Sequence, residues 1–429
     1  MPVGNKARTP LGAEFTDLSD HSGEVRHQEI RRVTSVKQGE QFMKKRKAGQ
    51  AASAAAAGLV FAAAFGVSTG AVCYADSATT PSSGDATGAS IVTYAERVTA
   101  TRTGLQTVWT GPTTGPRLAP GKRIVCIPTD MKNTLSAEWF EDMAAIGKKI
   151  GWNMTIIDGQ GTASGWITAF NQAIALHPDG IASSANADTV QPEIDTAHAH
   201  GIVIVGLHFT SVPGADAKRH VFYNIESSPE GIGQAEADYV IARSHGKGRA
   251  IVLYDAEYAV ARYKAEAMRN EFSKCVTCKL LAYVNLPLSQ VSTLTPQAVS
   301  SWMTHFGPPF YVMTIADYYY DFAVPVLSQG GVPTSAVNLV GSDGAPSAYD
   351  RIRNGLYQTA TVPEPAEEQA YQAIDEFNRA FHSEPPSDYI PPAFLVTAQN
   401  IHAQGGDKNQ FNPANGYAEH YLDIWGVSK

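Results

Sequence analysis

From Lys122 onward the hydrophobic positions fall into two alternating patterns. Short continuous apolar runs, as in RIVCIP, NMTIID, GIASSA and IVIVGL, predict strands buried on both faces. Between them lie longer stretches with apolar residues three and four apart. SAEWFEDMAAIGKKIG sets Trp139, Met143, Ile146 and Ile150 on one helical face and stops at Gly151, and GWITAFNQAIAL and TVQPEIDTAHAHG are helical by the same rule. A second round repeats the scheme. SSPEGIGQAEADYVIARSHG predicts a helix with Ser228 as N-cap and Pro229 in the first helical position. RAIVLYD, LLAYVNL, FYVMTIAD and AVNLVGSDG then predict strands, with VARYKAEAMRNEFSK, AVSSWMTHFG and an irregular DFAVPVLSQGG as helices between them.

Strands separated by helix-length spacers imply parallel sheets covered on both faces. Two rounds predict an α/β fold of two doubly wound, Rossmann-like lobes. Ligands of such sheets bind beyond the carboxyl ends of the strands. The residues there are mostly polar with aromatics interleaved: Asp130, Asn186, His208 and Phe209 in the first round, Tyr258, Asp317, Tyr318 and Asp343 in the second. Each is also an ordinary turn or cap former. Together they outline a site of hydrogen-bonding groups and ring faces.

Upstream of this body the pattern changes. Four basic residues, Lys44 to Lys47, precede an Ala-rich apolar run from Ala51 to about Val67, and Cys73-Tyr74-Ala75 offers a small-residue cleavage site. This is the plan of a secretory signal peptide over 43–75. A membrane anchor is the alternative, though the run is short and rich in Ala rather than Leu. Residues 1–42 are polar without hydrophobic period and are expected to be disordered or a misassigned start, with translation beginning at Met43. Residues 76–120, rich in Thr, Ser, Gly and Pro, are expected to be a linker with a short element at SIVTYAERVTA.

Composition narrows the function. The net charge is -8, and the first 75 residues hold ten Lys/Arg against six Asp/Glu, so the body is distinctly acidic. An acidic body does not favour nucleic acid, which needs a basic surface. Of the four cysteines, Cys275 and Cys278 form a CxxC with no second pair or HxxxH to complete a zinc site; in an oxidising compartment a local disulfide is expected, with no metal and no cofactor. There is no GxSxG, GxxxxGK[ST] or HExxH, and EGIGQA lacks the glycines of a dinucleotide fingerprint, so an enzyme is not expected.

Four pieces in order then resemble the type I periplasmic binding proteins of ABC transporters, in their ribose/galactose-like group: IPTD…WFEDMAAIGKKIGWNMTIIDGQG, PDGIASSANADTVQPEIDTAHAHGIVIVGL, IADYYYDFAVPVLSQGG and VGSDGAPSAYDRIRNGLYQTATVPEP. The resemblance implies an N-terminal lobe of 122–227 plus 364–395 and a C-terminal lobe of 228–363 plus 396–429, joined by hinge crossovers. It implies an extracytoplasmic monomer that closes on a small, sugar-like polar ligand and delivers it to an ABC permease in the membrane. A sensory subunit would use the same lobe surfaces. LacI-type regulators share the body but begin with a basic helix-turn-helix, which this chain lacks. Within the family, Trp139 and Phe140 fall near stacking aromatics, Asp317 and Asp343 on binding carboxylates, and Lys264 near a binding Arg. Lys264 also lies on a helix whose ARYKAEAMRNEF face is mostly polar, which favours a solvated surface charge over ligand contact. The chain departs from the family at His208-Phe209, where Asp-Arg is common, at Ala316 for Asn, at Ser342 for an aromatic, and at Pro363 for Gln.

Overall fold

The computed structural model describes residues 88–427; the expected leader and the stretch before it lie outside them. The first sheet contains β1 (Arg123–Ile127), β2 (Asn153–Ile156), β3 (Gly180–Ser183), β4 (Val203–Leu207), β5 (Gly214–Asp216) and β6 (Val221–Ile225), in the order β2-β1-β3-β4-β6-β5. All neighbours are parallel except β5, which runs against β6. Helices α2 (Thr134–Ile150), α3 (Ala163–Ala175) and α4 (Gln191–Ala199) connect its strands. The helix α2 follows directly from its sequence: the Asn133 side chain accepts from the Ser136 amide at the start, and Gly151 ends it in the left-handed region at φ 79°.

The second sheet repeats the plan with β7 (Arg249–Tyr254), β8 (Lys279–Asn285), β9 (Phe310–Thr314), β10 (Val337–Asp343), β11 (Gln358–Pro363) and β12 (Val396–Thr397), in the order β12-β11-β10-β9-β7-β8. Only β12 is antiparallel to its neighbour. Its helices are α5 (Pro229–Arg243), α6 (Ala259–Ser273), α7 (Val291–His305), α8 (Tyr319–Gln329) and α9 (Pro346–Arg353). Ser228 caps α5 through the Gly231 amide with Pro229 at its start, as the sequence predicts. Cys275 and Cys278 are bonded to one another in the turn between α6 and β8. Cys126 is a buried free thiol on β1, pushed up to about 12 by burial.

The chain passes between lobes from β6 to α5, from β11 to α10 (Ala366–Phe381), and from α10 to β12. Helix α10 belongs to the first lobe, where Ala370, Ile374 and Phe377 pack with Ile124 and Phe140.

Two expected boundaries are corrected. From Gly88 the expected linker is folded. Helix α1 (Gly88–Arg102) inserts Ile91 and Ala95 into the core of the second lobe, and Arg102 pairs with Asp238 of α5 at 2.7 Å. The irregular stretch that follows crosses to the first lobe. There the Trp109 ring lies 5.3 Å from both His420 and Tyr421, Ala119 donates to Asn378, and Leu118 donates to the Trp425 carbonyl. Its Ser/Thr/Gly-rich composition hides a segment in which Trp109 and Leu118 dock on the first lobe while Leu105 and Val108 stay exposed. The chain end is the second correction. Helix α11 (Tyr417–Trp425) was expected in the second lobe but buries Tyr417, Tyr421 and Trp425 in the core of the first, where Trp425 donates to Asp375 at 2.8 Å. Three large rings on one short helix outweigh its sequence proximity to β12.

Replacing Trp425 with Ala is expected to cost about 3–5 kcal/mol, the usual effect of removing a large buried ring. Urea unfolding measures this, and a loss below about 1 kcal/mol would mean that the tail helix is not integral to the first lobe.

Candidate functional site

Both sheets point the carboxyl ends of their strands at one cleft of about 610 Å³, counting the part open to solvent. The first lobe contributes Thr129, Asn133, Leu135, Ser136, Trp139, Ser184 and His208 to its walls. The second contributes Tyr258, Val260, Ala261, Lys264, Leu288, Ile315, Ala316 and Asp343. On one side the lobes touch: Asn186 donates to the Glu257 carbonyl at 2.9 Å, and the Trp166 and Tyr258 rings lie 6.2 Å apart.

The floor is built around Glu364, which begins the crossover after β11 and is fully buried. Its Oε2 accepts from the Ser227 hydroxyl at 2.7 Å and from Gln369 Nε2 at 2.6 Å, while its Oε1 lies 3.0 Å from His208 Nε2. Burial alone would raise this carboxyl, but His208, Lys264 and Ser227 together hold it down to about 2. An ionised carboxylate only accepts, so His208 Nε2 carries the hydrogen and donates. Gln369 in turn accepts from Trp139 Nε1 at 2.6 Å, and the Trp139 and His208 rings meet edge to face at 4.8 Å. A closed circuit of four side chains therefore fixes the two rings of the cleft wall. Neighbouring Glu226 is pushed well above the usual carboxylate range, by burial first and the Glu364 charge second.

Lys264 stands opposite. The expectation of a solvated lysine is overturned: it is 3% exposed and donates to Asp343 at 3.0 Å. Burial works against its charge, but Asp343, Glu364 and Glu226 outweigh that and raise it above the ordinary value. His208 and Asp343 share a second property. Their φ angles are 54° and 85°, a backbone region that non-glycine residues enter at a cost of about 1–3 kcal/mol and that clusters at ligand clamps.

Five of the residues singled out from the sequence thus meet in the main cleft: Trp139, His208, Tyr258, Lys264 and Asp343. Burial pushes the Tyr258 hydroxyl up to about 12, so it is held neutral as a donor. Asn186 and Phe209 border an adjoining chamber of similar size, about 640 Å³, that shares His208 and Tyr258, but the Phe209 ring is buried and stacks on Phe170 at 6.1 Å. Tyr318 lies on the rim of a small annex beside Asn133 and Asp343, 39% exposed.

Three expectations are corrected. Phe140 is wholly buried in the first core, because the next residue along a helix points about 100° away from Trp139. Asp130 is engaged in its own turn, accepting from the Lys132 amide at 2.9 Å, and does not line the cleft. Asp317 does not serve as an anchor in the main cleft. Its buried carboxylate takes the Thr361 hydroxyl and Gln358 amide, both at 2.6 Å, and the Gly344 and Ala345 amides, which fastens the loop that carries Asp343. Residues missed from the sequence include Glu364 and Gln369, Ser136 with Ser184 (Oγ atoms 2.7 Å apart), and the aliphatic Leu288 and Ile315. Glu364 was adjacent to the Pro363 compared with the family's Gln; the others carry no local signature.

A cleft between two parallel α/β lobes, floored by their crossovers, defines a two-lobed solute-binding protein. The chain belongs to the periplasmic binding protein family, whose domain matches residues 124–381, more than half of its length. No curated protein matches the sequence significantly. Solved structures share the fold. An ABC transporter solute-binding protein from Agrobacterium vitis bound to α-D-tagatopyranose superposes with TM-score 0.61 at 13% identity, over 68% of this chain and 99% of that one. The 5-methylthioribose transporter solute-binding protein of Thermotoga lettingae gives 0.59 at 16%, over 72% and 93%. A second Agrobacterium vitis protein, bound to allitol, gives 0.58 at 17%, over 66% and 97%.

The depressed Glu364 carboxyl has a pH consequence. Its folded value of about 2 lies below the ordinary 4.5, so its contribution to stability is present above 4.5 and lost as pH falls towards 2. That contribution is of the order of 3 kcal/mol. The stability gap between the native chain and Glu364→Gln, measured by denaturant unfolding at a series of pH values, is expected to narrow over that window. A gap independent of pH would contradict the assignment.

Proposed function

We propose that this chain is the extracytoplasmic binding subunit of an ABC transporter, capturing a small, neutral, sugar-like ligand between its lobes and performing no chemistry on it. The observation that carries the reading is the cleft itself. His208 from one lobe and the Lys264–Asp343 pair from the other face the same space, beside the Trp139 and Tyr258 rings. Neutrality follows from the pairing. Lys264 already has Asp343 and Glu364 near it, so a charged ligand would leave a buried charge unmatched. Membership of the periplasmic binding protein family supports a location outside the cytoplasm, and the basic, then apolar, stretch over 43–75 would supply the export signal. The sugars and polyols of the structural neighbours support the ligand class.

Function in this reading is hinge closure. Ligand bridging the lobes favours the closed arrangement by as much as it binds that arrangement better, and the permease recognises the closed pair. A single copy contains the complete cleft, so a monomer suffices. The free hydrogen-bonding capacity of Asp343 is the expected polar anchor.

The test is a thermal-shift screen of sugars and polyols, joined to native mass spectrometry of the purified protein. A sugar-like molecule is expected to co-purify or to raise the melting temperature, and Asp343→Ala is expected to abolish that shift. An undiminished shift in the variant would remove Asp343 from the site. A response confined to charged solutes would overturn the ligand class.

A further inference from the structure

The two walls of the cleft differ in kind. The first lobe presents mostly hydroxyl, amide and imidazole groups, at Thr129, Asn133, Ser136, Ser184 and His208, beside Leu135 and the Trp139 ring. The wall of the second lobe is mainly aliphatic, at Val260, Ala261, Leu288, Ile315 and Ala316; its polar groups are the Tyr258 hydroxyl and the paired Lys264 and Asp343. Several polar groups of the cleft already serve the protein itself. Ser136 and Ser184 bond to each other, His208 Nε2 is held by Glu364, and Trp139 Nε1 by Gln369.

A sugar hydroxylated all round, buried here, would direct some of its hydroxyls at side chains that neither donate nor accept. Each such hydroxyl would lose its water partners without replacement, which weakens binding by about tenfold. A hydrogen atom, methyl or thioether at the same place would instead remove apolar surface from water, a favourable change.

Resting on the sugar-binding reading above, we infer that the ligand is an amphiphilic sugar derivative, deoxygenated or alkyl- or thioalkyl-substituted on one edge, with that edge packed on the aliphatic wall of the second lobe. Its hydroxylated edge faces the first lobe and Asp343. Leu288 and Ile315 are then the residues that set specificity. Neither side chain can donate or accept a hydrogen bond; they act by refusing hydroxyls. A site built this way prefers the derivative over the parent sugar, the reverse of a site lined with carboxylates and amides on both walls.

Matched pairs test this by calorimetric titration of the full chain: L-mannose against its 6-deoxy form L-rhamnose, L-galactose against L-fucose, and D-ribose against 5-methylthio-D-ribose. In at least one pair the derivative is expected to bind ten or more times tighter than its parent. Leu288→Gln, at a half-buried position in a short turn, is expected to shrink or invert that ratio while the melting temperature stays near that of the native chain. If parents bind as tightly as derivatives, the aliphatic wall does not select and the inference falls, although sugar binding stands. If no member of any pair binds, the sugar reading falls with it. A ratio unchanged in Leu288→Gln and in the companion Ile315→Asn would also overturn the assignment, because the preference would then arise elsewhere.

Discussion

The arrangement of the cleft depends on one buried carboxylate. Glu364 sits where the chain leaves the second sheet for the first lobe, and its two oxygens reach three separate pieces of structure: the His208 turn, the Ser227 crossover and helix α10. Unpaired, such a charge would not stay buried; with donors from His208, Ser227 and Gln369 and with Lys264 nearby it remains ionised. Because Gln369 carries the connection on to Trp139, the two rings of the wall are positioned from the hinge rather than from their own strands and helices. The same pairing fixes which nitrogen of His208 is free. With Nε2–H committed to Glu364, Nδ1 is the ring nitrogen left for a ligand.

The lobes are joined by more than the crossovers flanking the sheets. The segment from Gly88 to Ala119 starts on the second lobe, with α1 against α5, and finishes on the first, against α11 and Asn378. The Thr103 and Gly104 carbonyls at its midpoint accept from Asn400 and Gln404, so the crossing itself is held. All of this lies before residue 124, where the family domain begins. The domain therefore carries an added strap across its hinge side, and any relative rotation of the lobes must bend it.

Much of this was legible in the sequence, for a definite physical reason. Strands buried on both faces are continuous apolar runs, and helices between them need one apolar stripe, so β1, β3, β4, β7, β9 and β10 could be read directly, and the half-buried edge strands β2 and β8 from their place in the alternation. Strand β6 could not: its buried Asn224 interrupts the run, and the structure shows why, since that side chain accepts from the Phe209 amide and donates to the Val212 carbonyl to hold the His208 turn. The cleft residues at strand ends were legible because fold class dictates where to look. Whether a carboxylate faces ligand or protein was not. Asp317 and Asp343 look alike as strand-end acids, yet four donors converge on Asp317 and only Lys264 on Asp343. That difference is made by β11, some 40 residues away in sequence. The Trp139–Phe140 pair presented the same difficulty at shorter range. Two adjacent rings were visible, and only tertiary packing decided which one reached the cleft.

The positive φ angles at His208 and Asp343 set stability against function at the same two positions. Glycine would relax the backbone at either, and a chain shaped by thermal robustness alone would carry it there. It would also delete the imidazole from one wall and the carboxylate from the other. Variants selected only for heat tolerance could therefore gain ruggedness by blunting the protein, and a stabilised form intended as a sensor or capture reagent has to take its improvements from elsewhere in the fold.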